Sequence, residues 1–236
     1  MLKTEFRILL IIAVLMFYTL LPGVASAFLS FGVKWDDSYS FDKSNTFKIE
    51  FYAKNNELMR TMNLKTYYQS TGDNFVTKME SGKGSYTETV LDKKNEVAIQ
   101  IFGSGRGTQY NAGGFKYPTE TELKKLDIVP TTETKQIAGF MCKKYTYTFK
   151  NIFGEVWITD EINLSNDLGV FRAAKMAAKH NTLSASGFVM EMTTEDSSGG
   201  KTLMTTVSLK NSENYMLDFR NVKMGTAINK ANYYIF

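Results

Sequence analysis

Apolar and polar residues alternate with a period of two along most of this chain, and no other feature restricts the fold as strongly. Phe47, Ile49 and Phe51 share one side of an extended segment, with Lys48 and Glu50 on the other. Met62, Leu64 and Thr66 alternate with Asn63, Lys65 and Tyr67, and Phe75, Thr77 and Met79 follow after Ser70-Thr71-Gly72-Asp73. The runs Tyr86–Leu91 and Val97–Phe102 flank the polar turn Asp92-Lys93-Lys94-Asn95. Tyr145, Tyr147 and Phe149 lead through Asn151 and Gly154 to Val156–Thr159. Phe188, Met190 and Met192 face a run holding Leu203, Thr205, Val207 and Leu209 across Asp196-Ser197-Ser198-Gly199-Gly200, and Tyr215, Leu217 and Phe219 open the last strand. Short alternating runs joined by polar or glycine-containing turns are hairpins, so the expected fold is mainly β (α+β), built on a curved antiparallel sheet.

Two segments leave that pattern. Pro118-Thr119-Glu120-Thr121-Glu122 reads as the start of a short helix, with Thr119 as N-cap, Glu122 completing a capping box, and Leu123 and Leu126 as its apolar side. A second helix is expected from Asn166 to His180, with Lys175, Lys179 and His180 at the end where positive charge suits the helix dipole. Residues 103–117 read as a glycine-rich loop, and a threonine-rich stretch connects the first helix to Lys135, all within one domain covering 28–236.

The balance of elements carries the functional inference. About nine strands stand against roughly 25 residues of helix, and the longer helix offers Phe171 and Met176 but also Ala173, Ala174, Ala177 and Ala178. Alanine buries little area, and burial is worth about 25 cal/mol per Å². A sheet of this size curls onto itself or is covered, and a thin cover leaves either an apolar cavity or a filled core. Both remain open at this level. The residues expected to line a cavity are Phe47, Ile49, Phe51, Met62, Leu64, Phe171, Met176, Met190 and Met192, methionine being suited to apolar guests of varied shape.

The N-terminus reads as a sorting signal. Lys3 and Arg7 precede an apolar run from Ile8 to Leu21, Pro22-Gly23 breaks it, and Ala25-Ser26-Ala27 supplies small residues for a peptidase. The run is shorter than the roughly 20 residues a membrane span requires. The expectation is a signal peptide over 1–27, cleavage after Ala27, and a periplasmic or secreted product with no stable membrane span.

Chemistry-bearing residues are sparse. A single His and a single Cys leave too few ligands for a His-rich or paired-Cys metal site or for an internal disulfide, so no cofactor is expected, and Cys142 reads as a buried free thiol, the alternative being an intermolecular bridge. The formal charge of +4 is scattered rather than clustered, which argues against nucleic acid. Gly103-Ser104-Gly105-Arg106-Gly107 has the wrong spacing for a phosphate loop and reads as a hairpin connection. His180 has no Gly-x-Ser-x-Gly partner motif and reads as a helix cap. Asp36-Asp37, Asp160-Glu161 and Glu195-Asp196 are adjacent carboxylates that a strand would point to opposite faces. No enzymatic activity is expected, a hydrolase using His180 being the minor alternative.

One stretch carries a resemblance. Ile137, Ala138, Gly139, Phe140, Cys142, Lys143, Lys144 and Tyr145, followed after a turn by Val156, Trp157, Ile158 and Thr159, resemble a bacterial secreted family named domain of unknown function 4412. That family is similar to periplasmic lipoprotein carriers of the LolA and LolB type. The resemblance implies a half-barrel with two helices over its concave side, a structural box of Gly139, Cys142, Tyr145 and Trp157, and a concavity able to hold a lipid, an acyl chain or an apolar peptide. The expected partners are therefore a lipid or lipoprotein. The alternative is a cell-envelope interaction module with a filled core that docks an envelope protein.

Overall fold

The alternating runs form strands, and their pairing follows from which residues can share a buried face. In the computed structural model described here, residues 33–116, 125–126, 128–149, 151–162, 164, 182–183 and 186–233 are described. The strands are β1 (Ser38–Phe41), β2 (Lys43–Tyr52), β3 (Leu58–Tyr68), β4 (Phe75–Gly82), β5 (Ser85–Asp92), β6 (Val97–Ser104), β7 (Gly107–Lys116) and β8 (Lys125–Leu126). They continue as β9 (Ile128–Ile137), β10 (Phe140–Phe149), β11 (Ile152–Thr159), β12 (Thr182–Leu183), β13 (Phe188–Asp196), β14 (Lys201–Lys210), β15 (Tyr215–Asp218) and β16 (Thr226–Tyr233).

Twelve of these make one sheet in the order β16-β7-β6-β5-β4-β3-β2-β14-β13-β11-β10-β9. It is curved and does not close, and every pairing is antiparallel except β16 with β7, which is parallel. Register irregularities fall between Lys143 and Tyr145, Trp157 and Ile158, and Thr206 and Ser208 in the ladders of β9–β10, β11–β13 and β14–β2, and others lie in β2–β3, β4–β5 and β7–β16.

The middle of the sheet is buried on both faces, and the sequence marks it with apolar doublets instead of alternation. In register, Tyr68 pairs with Phe75, Phe75 with Leu91, and Leu91 with Ala98, while the adjoining row runs Tyr67, Val76, Val90, Ile99 and Ala112. The first row belongs to a core with Phe47, Ile49, Leu64, Phe188, Met190, Met192 and Met204. The second belongs to a separate core on the opposite face, with Tyr39, Phe41 and Phe219.

That opposite face is covered by a two-stranded ribbon, β1 paired with β15. Tyr215 stacks on Tyr67 with ring centroids 3.8 Å apart and donates its hydroxyl to Glu88 Oε2 at 2.7 Å. Tyr39 donates to the buried Asp92 Oδ2 at 2.7 Å, and the Phe219 N–H donates to the Asp37 carbonyl at 2.7 Å. Glu88, itself buried, pairs through Oε1 with Lys78 Nζ at 2.8 Å. This strand-built cover lies on the face opposite the residues expected to line a cavity. Most of the two expected helical spans, with Phe171, Met176 and His180, lies outside the described residues.

Three local expectations are corrected. Residues 103–116 are not a loop: β6 reaches Ser104, Gly105-Arg106 makes a two-residue turn, and β7 pairs back in register. Gly103 is required there by packing, because a Cβ would sit 2.1 Å from the ring of Tyr86, its register partner. The threonine-rich connection is strand β9, and it accommodates Pro130 because it ends the order of the sheet, where a missing N–H leaves no ladder bond unmade. Leu126, expected on the first helix, lies instead in β8, paired in parallel with β12.

The ribbon's attachment is testable. Tyr215→Phe removes a hydroxyl from a buried carboxylate, and we expect a loss of about 1–3 kcal/mol in urea unfolding with the m-value unchanged.

Candidate functional site

Of the residues expected to line a cavity, the structure brings seven onto one face of the sheet. Across β13, β14, β2 and β3, Met192 pairs with Met204, Met204 with Ile49, and Ile49 with Met62. One row over, Thr206 pairs with Phe47, Phe47 with Leu64, and Leu64 with Met79. Phe47, Ile49, Leu64, Met190 and Met192 are buried, forming a floor, while Phe51 and Met62 are half-buried at its margin. Phe171 and Met176 lie outside the described residues.

Sequence reasoning did not single out Met79 and Met204, yet they complete the patch. Met204 is 1% exposed and Met79 half-buried. Five methionines from β3, β4, β13 and β14 therefore converge around Phe47 and Ile49. The alternation in each strand was visible. The convergence follows only from β14 pairing with β2, a contact between segments about 150 residues apart in sequence that no local pattern encodes.

The four residues of the structural box serve the β9–β10–β11 region. Ala138 and Gly139 have φ of 51° and 91° and form the two-residue turn between β9 and β10, a conformation that glycine adopts without cost. Cys142 is a buried free thiol, and burial pushes it up to about 11, the Ile137 backbone and Lys135 opposing. Tyr145 pairs with Val156 and packs at the edge of the main core. Trp157 pairs with Lys144 on one side and Glu191 on the other, and the ammonium groups of Lys135 and Lys144 lie 4.1 and 5.8 Å from its ring centroid. Lys135 bonds Glu191 at 2.7 Å, and Lys144 bonds Glu133 and Glu155 at 3.0 and 2.8 Å. The ring is 7% exposed, buried beneath cations and their aliphatic stems.

A hollow of about 280 Å³ opens on the opposite face, between the β1–β15 ribbon and the sheet. Tyr86, Tyr110, Tyr215 and Phe219 surround it, Ile101 lies beside them, and the Lys78–Glu88 pair forms its polar end. Burial lowers the Lys78 ammonium and Glu88 raises it, the balance lying above its ordinary value. Both Glu88 oxygens are engaged, one by Lys78 and one by Tyr215, so this carboxylate acts as the lock of the ribbon.

The remaining candidates have structural partners. Asp196 lies in the β13–β14 turn and accepts the backbone N–H of Ser198 and Gly200 at 2.8 and 3.2 Å. Burial raises its carboxyl, but these bonds hold it below the usual range. Asp36 accepts from Asn95 Nδ2 at 3.0 Å, and Lys143 bonds Asp160 at 3.3 Å. Among the described residues, no group of three His, Cys, Asp or Glu side chains is placed to hold a metal ion, and no helix is long and apolar enough to cross a membrane.

Two measurements check this description. Cys142 in the native protein is expected not to react with a thiol reagent at pH 8, and to react fully once denaturant exposes it. Trp157→Ala is expected to cost about 3–5 kcal/mol in denaturant melts, whereas a cost near zero would place the ring on the surface.

No protein-family model and no curated protein matches the chain. Among solved structures it is similar to PNGF-II in the C2 and P21 space groups, with TM-scores of 0.44 and 0.43, 16% and 15% identity, and 81% and 82% of this chain covered. The chain spans about a third of the length of PNGF-II, 31% and 32% in the two structures. It is also weakly similar to a LolA superfamily protein, NE2245 from Nitrosomonas europaea, with a TM-score of 0.30 and 8% identity over 75% of this chain and 88% of that one.

Proposed function

We propose that this chain is an exported, non-catalytic binding protein that holds an acyl chain or another apolar guest against the methionine-rich face of its sheet. The observation carrying this reading is the convergence of Met62, Met79, Met190, Met192 and Met204 around Phe47 and Ile49. A surface meant only to be filled is best served by Leu, Ile, Val and Phe, whose rotamers are well defined. Unbranched, polarizable methionines re-pack around guests of different shape. The half-buried Phe51, Met62 and Met79 form the side from which a guest reaches the buried floor. The signal sequence over 1–27 supports a periplasmic or secreted location, where a lipid or lipoprotein is the fitting partner. The non-catalytic reading is supported by the engagement of Glu88, Asp92 and Asp196 in structural bonds.

A second reading keeps the interior filled and assigns the protein to docking an envelope partner. It is favoured by the burial of Phe47, Met190 and Met204, at 0%, 0% and 1% exposure, against their own neighbours.

Native mass spectrometry and lipid extraction of protein purified after export distinguish the two. The binding reading expects a co-purifying lipid and saturable binding of a fluorescent fatty acid. It also expects the double substitution of Met62→Gln and Met79→Gln to weaken that binding about tenfold or more through lost apolar contact, with the fold intact. A protein that is always empty, fails to bind the probe, and cross-links in cells to a stable protein partner would establish the second reading instead.

A further inference from the structure

Residues two apart on a strand occupy neighbouring rows of one sheet face. On the methionine-rich face, the row Phe47–Leu64–Met79 is apolar from β2 to β4 before it passes to Thr87, Phe102 and Gln109, and the row Tyr68–Phe75–Leu91–Ala98, which starts from Lys43 on β2, is apolar from β3 to β6. The row between them has no apolar member. It runs Asn45, Thr66, Thr77, Thr89, Gln100 and Asn111, each paired in direct register with the next, across six adjacent strands from β2 to β7. A polar line running beside apolar stretches of core is costly where it is buried unless its groups are satisfied.

They are not all satisfied. Asn45 Oδ1 and Asn111 Oδ1 are buried and lack a hydrogen-bond partner, and both belong to this row, in which the buried Thr66 side chain lies against the Tyr68 hydroxyl. Asn45 and Thr66 are 0% exposed, while Thr77, Thr89, Gln100 and Asn111 are half-buried, so the row runs from the core towards open sheet. The Asn45 Nδ2 donates to Thr206 Oγ1 at 3.3 Å, which orients the amide and leaves its carbonyl oxygen unmatched.

The chemistry of the row selects its complement. The two unmatched atoms are amide carbonyl oxygens, which only accept, and no member of the row is ionisable. A carboxylate headgroup, itself only an acceptor, cannot satisfy the unmatched amide oxygens, and the row itself carries no cation to attract it. Hydroxyl and amide N–H groups are matched. Resting on the apolar-guest reading above, we propose that the guest is an uncharged amphiphile whose headgroup carries hydroxyl or amide N–H donors, the headgroup lying on the Asn45–Asn111 row and the acyl chain on the adjoining methionines.

The test compares 1-monopalmitoylglycerol, methyl palmitate and palmitate as competitors of a fluorescent fatty acid on protein purified after export. The first two share an acyl chain and an ester and differ in the two hydroxyl donors. Monopalmitoylglycerol is expected to bind about tenfold tighter than methyl palmitate, and palmitate no tighter than the methyl ester. The double substitution Asn45→Leu with Thr66→Val should close the gap by weakening only the glyceride. Gln100→Leu, at a half-buried position, should narrow it in the same direction and serves where the buried pair impairs folding, as judged by circular dichroism. Equal affinity for glyceride and methyl ester, unmoved by these substitutions, would overturn this inference while leaving the apolar-guest reading in place. Failure of every acyl probe to bind would overturn both.

Discussion

Strand register is the constraint from which the rest of this structure follows. Because side chains alternate between faces, a slip of one residue between β2 and β14 would exchange every inward side chain on one strand for an outward one. Met204 would leave Ile49, and the buried floor would be rebuilt from Lys48, Glu50 and Thr205. The same holds across β3–β4–β5, where both faces are packed: there a slip would exchange two cores at once, Tyr68, Phe75 and Leu91 for Tyr67, Val76 and Val90. Double-sided burial therefore fixes the middle of the sheet more firmly than the single-sided patterning of β9–β11, where charged residues such as Lys144 and Glu155 occupy the outer face.

How much of this could be read from the sequence depended on how local the cause was. The hairpins are set by short-range signals, and Asp196 with Gly199-Gly200 joins β13 to β14 as its composition suggests. The burial of Cys142 was legible because its neighbours are apolar. The segment 103–116 was misread because glycine ordinarily signals a loop, whereas at Gly103 it makes room for the flat face of Tyr86 on the next strand. Strand β9 was misread for its threonines and Pro130, which suit an extended segment at the end of a sheet as well as a connection. The β1–β15 ribbon was not legible at all. Ser38–Phe41 is too short to announce itself, and its pairing with Tyr215–Asp218 joins two ends of the chain.

The candidate site shows the same division. Seven of its apolar members lie in alternating runs, so their facing could be inferred strand by strand. Neither the methionine convergence nor the polar row exists in any one strand. Thr66, Thr77 and Thr89 each read as ordinary β-formers, and Asn45, Gln100 and Asn111 as interruptions of a pattern. Only registration places them in one line. Gly154 belongs to the same category: a Cβ there would come within 1.9 Å of the Thr193 carbonyl, and its absence lets Tyr147 cross to donate to that carbonyl at 2.9 Å.

An open sheet of this breadth ends in strands that could recruit a neighbour, and β9 deals with that hazard through its composition. Pro130 offers no N–H, the ladder to β10 is irregular between Lys143 and Tyr145, and Glu133 and Lys135 put opposite charges along the strand. A second molecule approaching edge-on would find an incomplete template and would have to strip water from ions to use it. The chain can therefore leave its hydrogen-bonding ribbon unclosed on this side without inviting its own copies to stack into fibres.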